Sequence, residues 1–299
     1  MTADLHTGTM PAAPRPETMA RPRRDFHYVF GLKPQTEPLH LMFYLALESC
    51  RQVNAPDAIH FHYRNEPHGP DWERIRPYLT LHQVGVVDTG FSASRYQETA
   101  EGRLIQAHAL GYAHEADVLR LQVLAEGGGC YADMDTLFVR PYPDALFKLD
   151  FAIAEEGAYR AHNGLLRPSL CNAVMFARPG ASFVQRWLQA MPDKFDGTWS
   201  AHSCQAAADL AFANAAADAV LLPWAWFYRH GATAEGLATL FEQATPLRHD
   251  VFSMHLWAHL WWAQNRTDFS HFHGGLLTED WVHAADGLYA REARAFIGG

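Results

Sequence analysis

Residues 114–142 read HEADVLRLQVLAEGGGCYADMDTLFVRPY: a stretch with helical spacing of apolar residues, a run of three glycines, and then Asp133-Met134-Asp135. On a helix through Asp117, positions Arg120, Leu121 and Leu124 fall at i+3, i+4 and i+7, so the Asp and the Arg share the face that carries apolar side chains. Charged residues are rarely buried without partners, so this pair is either a structural ion pair or points into a ligand pocket. Gly127, Gly128 and Gly129 end the helix, and they suit both a left-handed cap and a sharp return into a strand. Placed on an extended segment, Asp133 and Asp135 project to one side and Met134 to the other. Two carboxylates so close repel each other unless a cation sits between them. Oxygen ligands favour Mg²⁺ or Mn²⁺, and such ions in turn favour a phosphate-bearing ligand.

The compound pattern, Asp-x-x-Arg followed by Gly-Gly-x-Tyr-x-Asp-x-Asp, closely resembles the signature of the DXD-containing glycosyltransferases of family thirty-two, relatives of the glucosylating bacterial toxins. The resemblance implies an α/β, GT-A-type Rossmann-like fold with a mostly parallel central sheet and helical insertions. It also implies a nucleotide-sugar donor, UDP- or GDP-linked, and places Asp117 and Arg120 on the donor sugar. Asp135 is implied as the direct cation ligand, with Asp133 on the cation, the ribose or the donor sugar, and Tyr131 as a wall of the nucleotide site. FHYVFG at 26–31 is similar to the family's first strand, with Phe30 where an aromatic stacks on the base. SLCNAVMFARPG at 169–180 is similar to its second core strand, with Asn172 facing the sugar, and MHLWAHLWW at 254–262 resembles the late His-x-Trp segment, with His255 near metal and diphosphate. Cys130 and His259 depart from the pattern; His259, four residues from His255, is a rival third metal ligand. Two histidines would lean toward zinc, one toward an oxygen-rich Mn²⁺ or Mg²⁺ site.

The rest of the chain alternates. FHYVF, AIHFHY and HQVGVV suggest strands, with helices over 38–53 and 71–79 between them. Beyond the Asp pair, FAIAEE, NAVMFAR and VLLPWAWFY suggest strands, and 181–190 and 203–217 helices. Such alternation implies an α/β fold with a mostly parallel sheet, in which ligands sit at the carboxyl ends of strands. A single catalytic domain is expected over 25–299, after a Pro-rich disordered tail at 1–24.

At 299 residues, 48% hydrophobic and 13% aromatic, the chain can bury a large core. Its net charge of -9 offers no basic stripe for nucleic acid. Cys50, Cys130, Cys171 and Cys204 lack CxxC spacing and are expected as buried thiols in a reducing compartment. No apolar run reaches the roughly 20 residues of a membrane span. A cytoplasmic enzyme acting on a glycan, a lipid-linked glycan or another acceptor is the expectation. Neither a dinucleotide GxGxxG, a Walker cradle nor a nucleophile elbow is present. Two rival readings are an Asp-x-Asp phosphatase, which Leu137 disfavours at a position that should be Thr or Val, and a non-catalytic metal- or carbohydrate-binding protein using the late histidines His249, His255, His259, His271 and His273.

Overall fold

The computed structural model describes residues 21–92, 107–160, 164–213 and 218–298. Strand β1 (Asp25–Phe30) alternates strictly, sending Phe26 and Tyr28 into one core and His27 and Val29 to the opposite face. It pairs in parallel with β2 (Ala58–Tyr63), which pairs in parallel with β3 (Thr80–Gln83). On its other side β1 pairs in parallel with β4 (Gly129–Ala132). The sheet continues through β7 (Leu166–Ala177) and β6 (Phe151–Arg160) to β8 (Val220–Leu222), in the order β3-β2-β1-β4-β7-β6-β8. Only β7 runs against its neighbours, so the mixed sheet is mostly parallel, as the GT-A-type reading expects.

Two apolar layers cover the sheet. Helix α1 (Leu41–Ser49) and α2 (Pro70–Ile75) pack with Phe26, Phe61 and Trp72 on one face. On the other, α3 (Ala107–Gly127) packs Leu121 and Leu124 with Met175, α4 (Ser182–Lys194) packs Phe183 and Trp187, and α5 (Ala206–Ala213) adds its alanines. Beyond β8 come α6 (Ala234–Phe241), α7 (Glu279–Ala284) and α8 (Leu288–Ala293). A separate two-stranded sheet joins β5 (Thr136–Phe138), just after the Asp pair, to β9 (Ser253–His255) in antiparallel register, with Thr136 opposite His255.

The join between α3 and β4 needs its glycines. Gly128 (φ 66°) and Gly129 (φ 87°) are both left-handed, and the Gly128 N–H caps the helix on the Leu124 carbonyl at 2.9 Å. A Cβ on Gly129 would meet the Asp25 carbonyl oxygen at 2.5 Å, so β1 and β4 approach too closely for any side chain.

Three expectations need correction. HQVGVV does not continue as a strand past Gln83: Gly85 weakens pairing and Val86 is 83% exposed. VLLPWAWFY stops as a strand at Leu222, because Pro223 cannot donate to a ladder, and a 3-10 turn at Trp224–Trp226 follows. Asp133-Met134-Asp135 is not extended but turns between β4 and β5, the Thr136 N–H returning to the Asp133 carbonyl at 3.1 Å. The tail expected over 1–24 lies, for residues 1–20, outside the described residues. Arg24 is buried, donating to the Tyr142 carbonyl at 2.9 Å and to Asp144 at 3.1 Å. All four cysteines are buried free thiols.

On the face that carries Val29, the register sets four imidazoles side by side: His27 opposite His60, and His62 opposite His82. Ring centroids lie 4.7 Å apart for His27–His60 and His62–His82, 5.1 Å for His60–His82 and 5.4 Å for His27–His62. Burial, aided by the neighbouring imidazoles, lowers His27 and His62 to about 3. Burial also lowers His60, against the pull of Asp25.

Two outcomes follow from these contacts. Gly129→Ala should lower the unfolding free energy by at least ~1–2 kcal/mol, the penalty of a left-handed non-glycine residue, with the clash adding to it; a urea midpoint equal to wild type would refute the close approach. Because the folded histidines titrate below the unfolded value of 6.5, the unfolded chain binds more protons in between. Their contribution is therefore complete above pH 6.5 and declines as pH falls toward 3, by about 1.4 kcal/mol per pH unit for each proton. The urea midpoint should drop over that acid range, and His62→Gln should flatten the drop; an identical slope in the variant would show that the ring is not its source.

Candidate active site

Helix α3 carries Asp117 and Arg120 on its sheet-facing side, where the spacing expected them, and both are buried. The Arg120 guanidinium lies 3.2 Å from Asp117, and its Nη1 donates to Asp133 Oδ1 and to the Asn172 carbonyl, each at 3.0 Å. It sits 4.8 Å over the Tyr131 ring, a cation–π contact. Tyr131 is buried behind Asp133, to which its hydroxyl donates at 2.7 Å. It braces the carboxylate from β4 and does not itself line the cavity.

Asp117 is held from three sides. Its Oδ1 accepts from Asn172 Nδ2 at 2.8 Å, Arg120 faces the same oxygen, and Oδ2 accepts from His202 Nε2 at 3.0 Å. Burial pushes this carboxyl up, but Arg120 and then His202 outweigh it and hold it below the usual range. His202 is fully buried on the π-helical turn Ala201–Gln205. No motif marks it; it stands 85 positions from Asp117, and the packing of that turn against β7 and α4 brings the two together.

The turn at 133–135 delivers what alternation would have, two carboxylates on one point, and β5–β9 pairing brings His255 to them. His255 Nε2 lies 3.1 Å from Asp135 Oδ1 and 3.8 Å from Asp133 Oδ2, and one donor atom from each of the three residues lies within 4.8 Å of the others. Asp135 is further fixed by the Ala258 N–H on Oδ2 at 2.8 Å, and its carbonyl accepts from Leu256 N at 2.9 Å. The two carboxyls differ. Burial raises Asp135, yet His255 overrides it and holds the group at about 2. Burial raises Asp133 and the Asp135 charge adds to this, with Arg120 opposing.

These donors fit a small hard cation. An octahedral ion with bonds of ~2.0–2.1 Å sets neighbouring ligand atoms about 3 Å apart, close to the 3.1 Å between His255 and Asp135. His255 Nδ1 is buried without a hydrogen-bond partner among the described residues. The two aspartates beside His255 raise it against burial. His259 faces the same cavity, but its ring stacks on Trp199 at 5.4 Å and burial lowers it to about 4.

The cavity measures about 530 Å³ and is lined by Asp117, Arg120, Asp133, Asp135, Asn172 and His255, together with Glu156, Trp199, Trp257 and His259. Glu156, Trp199 and Trp257 were not singled out from the sequence; Glu156 accepts from the Ser169 hydroxyl at 2.8 Å. Phe30 is not in this cavity. Its ring packs on Phe43 at 4.6 Å and lines a smaller hollow of about 210 Å³ with Tyr112, Ala113 and Ala116. Ala113 lines both spaces, so hollow and cavity adjoin.

Residues 54–152 match the family model described as the glycosyltransferase sugar-binding region containing the DXD motif. The chain is 36% identical over 183 residues to glucan organizing enzyme 1 of Cryptococcus neoformans var. grubii, covering 59% of this chain and 46% of that protein. It thus spans less than half the length of that relative. Among solved structures it has a partial likeness to the PaToxG glycosyltransferase, at 13% identity and a TM-score of 0.42, covering 64% of this chain and 69% of the other. The family match takes in Asp117, Arg120, Asp133 and Asp135.

His202→Phe leaves an Asp117 oxygen buried without its donor and should lower the unfolding free energy by ~1–3 kcal/mol, whereas His202→Gln, which keeps an amide donor, should lose less. Equal losses in urea denaturation would mean that the hydrogen bond to Asp117 contributes nothing.

Proposed function

We propose that this protein is a Mn²⁺- or Mg²⁺-dependent glycosyltransferase that moves a sugar from a UDP- or GDP-linked donor to a glycan or lipid-linked acceptor, with retention at the anomeric carbon. The observation that carries the proposal is the meeting, in one cavity, of the Asp133–Asp135–His255 donors with the Asp117–Arg120–Asn172 network. In this reading Asp133, Asp135 and His255 hold the cation, whose charge, when bound, offsets the negative charge growing on the departing nucleoside diphosphate. Asp117, kept ionised by Arg120 and His202, accepts hydrogen bonds from donor-sugar hydroxyls. Arg120 fixes the spacing of Asp117 and Asp133, so the sugar and the diphosphate are held in one orientation. In this reading the base lies in the hollow beside Phe30, which adjoins the cavity at Ala113.

Retention by departure and attack on the same face agrees with Asp133 and Asp135 both being committed to the cation. The name of the fungal relative favours a glycan acceptor. A phosphatase reading is disfavoured by Asp133 itself: its Oδ1 receives both Tyr131 and Arg120, which lowers its strength as a nucleophile. Among the described residues no helix is long and apolar enough to cross a membrane.

Calorimetric titration of UDP and GDP with and without Mn²⁺ tests the site. One nucleotide should bind in a Mn²⁺-dependent manner, and Asp135→Asn should weaken that binding by at least about tenfold with an unchanged melting curve. Nucleotide binding indifferent to both the ion and the substitution would remove the cation from the proposal, and no binding of either nucleotide would favour a non-catalytic carbohydrate- or metal-binding role.

A further inference from the structure

Away from the cavity, the imidazole ring on β1, β2 and β3 has no part in the proposed reaction. His60 and His62, two apart on β2, point to one face, and His82 on edge strand β3 and His27 on β1 flank them. Two nitrogen pairs are close: His60 Nδ1 to His82 Nε2 at 2.9 Å, and His27 Nδ1 to His62 Nε2 at 3.1 Å. Two nitrogens bound to one tetrahedral zinc at ~2.0–2.1 Å lie about 3.3 Å apart, so either pair reaches ligand spacing by opening a few tenths of an ångström. We propose that His60, His62 and His82, backed by His27, form a second cation site that takes a borderline d-block ion such as Zn²⁺ and is separate from the Asp133–Asp135–His255 donors.

Several observations point the same way. The donors are all nitrogen, which selects Zn²⁺, Ni²⁺ or Cu²⁺ over the Mg²⁺ or Mn²⁺ suited to carboxylates. Burial favours the neutral form of His27, His60 and His62, the form that binds a metal. His60 and His82 are only partly buried beside the edge strand, which gives an ion a way in. Asp25, 3.9 Å from His60 Nε2, has a buried Oδ1 without a hydrogen-bond partner among the described residues, an anionic neighbour for an added cation. Arg23 pairs with the other Asp25 oxygen and is the cation facing this group. As they stand the rings stack and their nitrogens meet in pairs, so a third ligand requires His62, stacked on His82 at 4.7 Å, to turn about χ2 away from its 3.1 Å contact with His27, a torsion with a broad minimum in histidine.

The test uses tag-free full-length protein carrying Asp135→Asn, which weakens the carboxylate site, titrated calorimetrically with Zn²⁺ and separately with Mn²⁺. One Zn²⁺ should bind with little response to Mn²⁺, and adding His82→Gln or His62→Gln should weaken zinc at least tenfold with no change in the metal-free melting curve. His82→Gln, at the edge strand, carries the test if His62→Gln fails to fold. Absence of zinc binding in the Asp135→Asn protein, or zinc binding unaffected by both histidine changes, would overturn the proposal.

Discussion

One buried guanidinium holds the functional end of this protein together. Arg120 reaches from α3 to Asp117 on its own helix, to Asp133 at the end of β4 and to the Asn172 carbonyl on β7, and it lies over the Tyr131 ring. A rigid planar fork with fixed donor directions sets the distances among three elements at once, which an ammonium on a flexible stem would not. A charge in that position persists only because its partners are charged or polar and placed on every side. The same arrangement holds Asp117 ionised while leaving Asp133 the weaker acid of the Asp pair. The site is therefore electrostatically graded before any ligand arrives: a low-pKa carboxylate beside a histidine, a higher one beside an arginine.

Much of this could be read from the chain because the period of each element is short. The i to i+3 spacing of Asp117 and Arg120 suffices to pair them, and period-two alternation suffices to place Phe26 and Tyr28 opposite His27 and Val29. Convergence of Asp133 and Asp135 was expected for the wrong local reason: a tight turn, not an extended strand, brings the carboxylates together. What stayed hidden depends on contacts between distant segments. His202 sits in an alanine-rich stretch with no pattern of its own, and Glu156 and Trp199 face the cavity only because β6 and the loop after α4 fold over it. Likewise the period of β2 places His60 and His62 on one face, but only the register with β1 and β3 shows that His27 and His82 join them. The overlong late strand illustrates the opposite error, an apolar run given too much weight against a single proline at 223.

The molecule separates two kinds of donor. Carboxylates gather at the carboxyl ends of the central strands, where open α/β sheets take ligands, and imidazoles gather on the sheet face near its edge. Burial acts on them in opposite senses, raising a carboxyl such as Asp133 and lowering an imidazole such as His62, so each set is driven toward its neutral form unless a partner charge intervenes. For the carboxylates that charge comes from Arg120 and His255; on the histidine face Asp25 partly offsets burial for His60.

The small β5–β9 sheet also orders events in time. It pairs residues 136–138 with 253–255, so His255 can reach the aspartates only after more than a hundred intervening residues have been made. The matched sugar-binding region ends at residue 152 and contains both aspartates but not the histidine. A chain emerging from the ribosome thus carries the acidic pair with Arg120 as its charged partner well before His255 is made. Closure of this long loop is a high-contact-order step, and it adds an imidazole to a carboxylate pair whose nearer partner in sequence is Arg120.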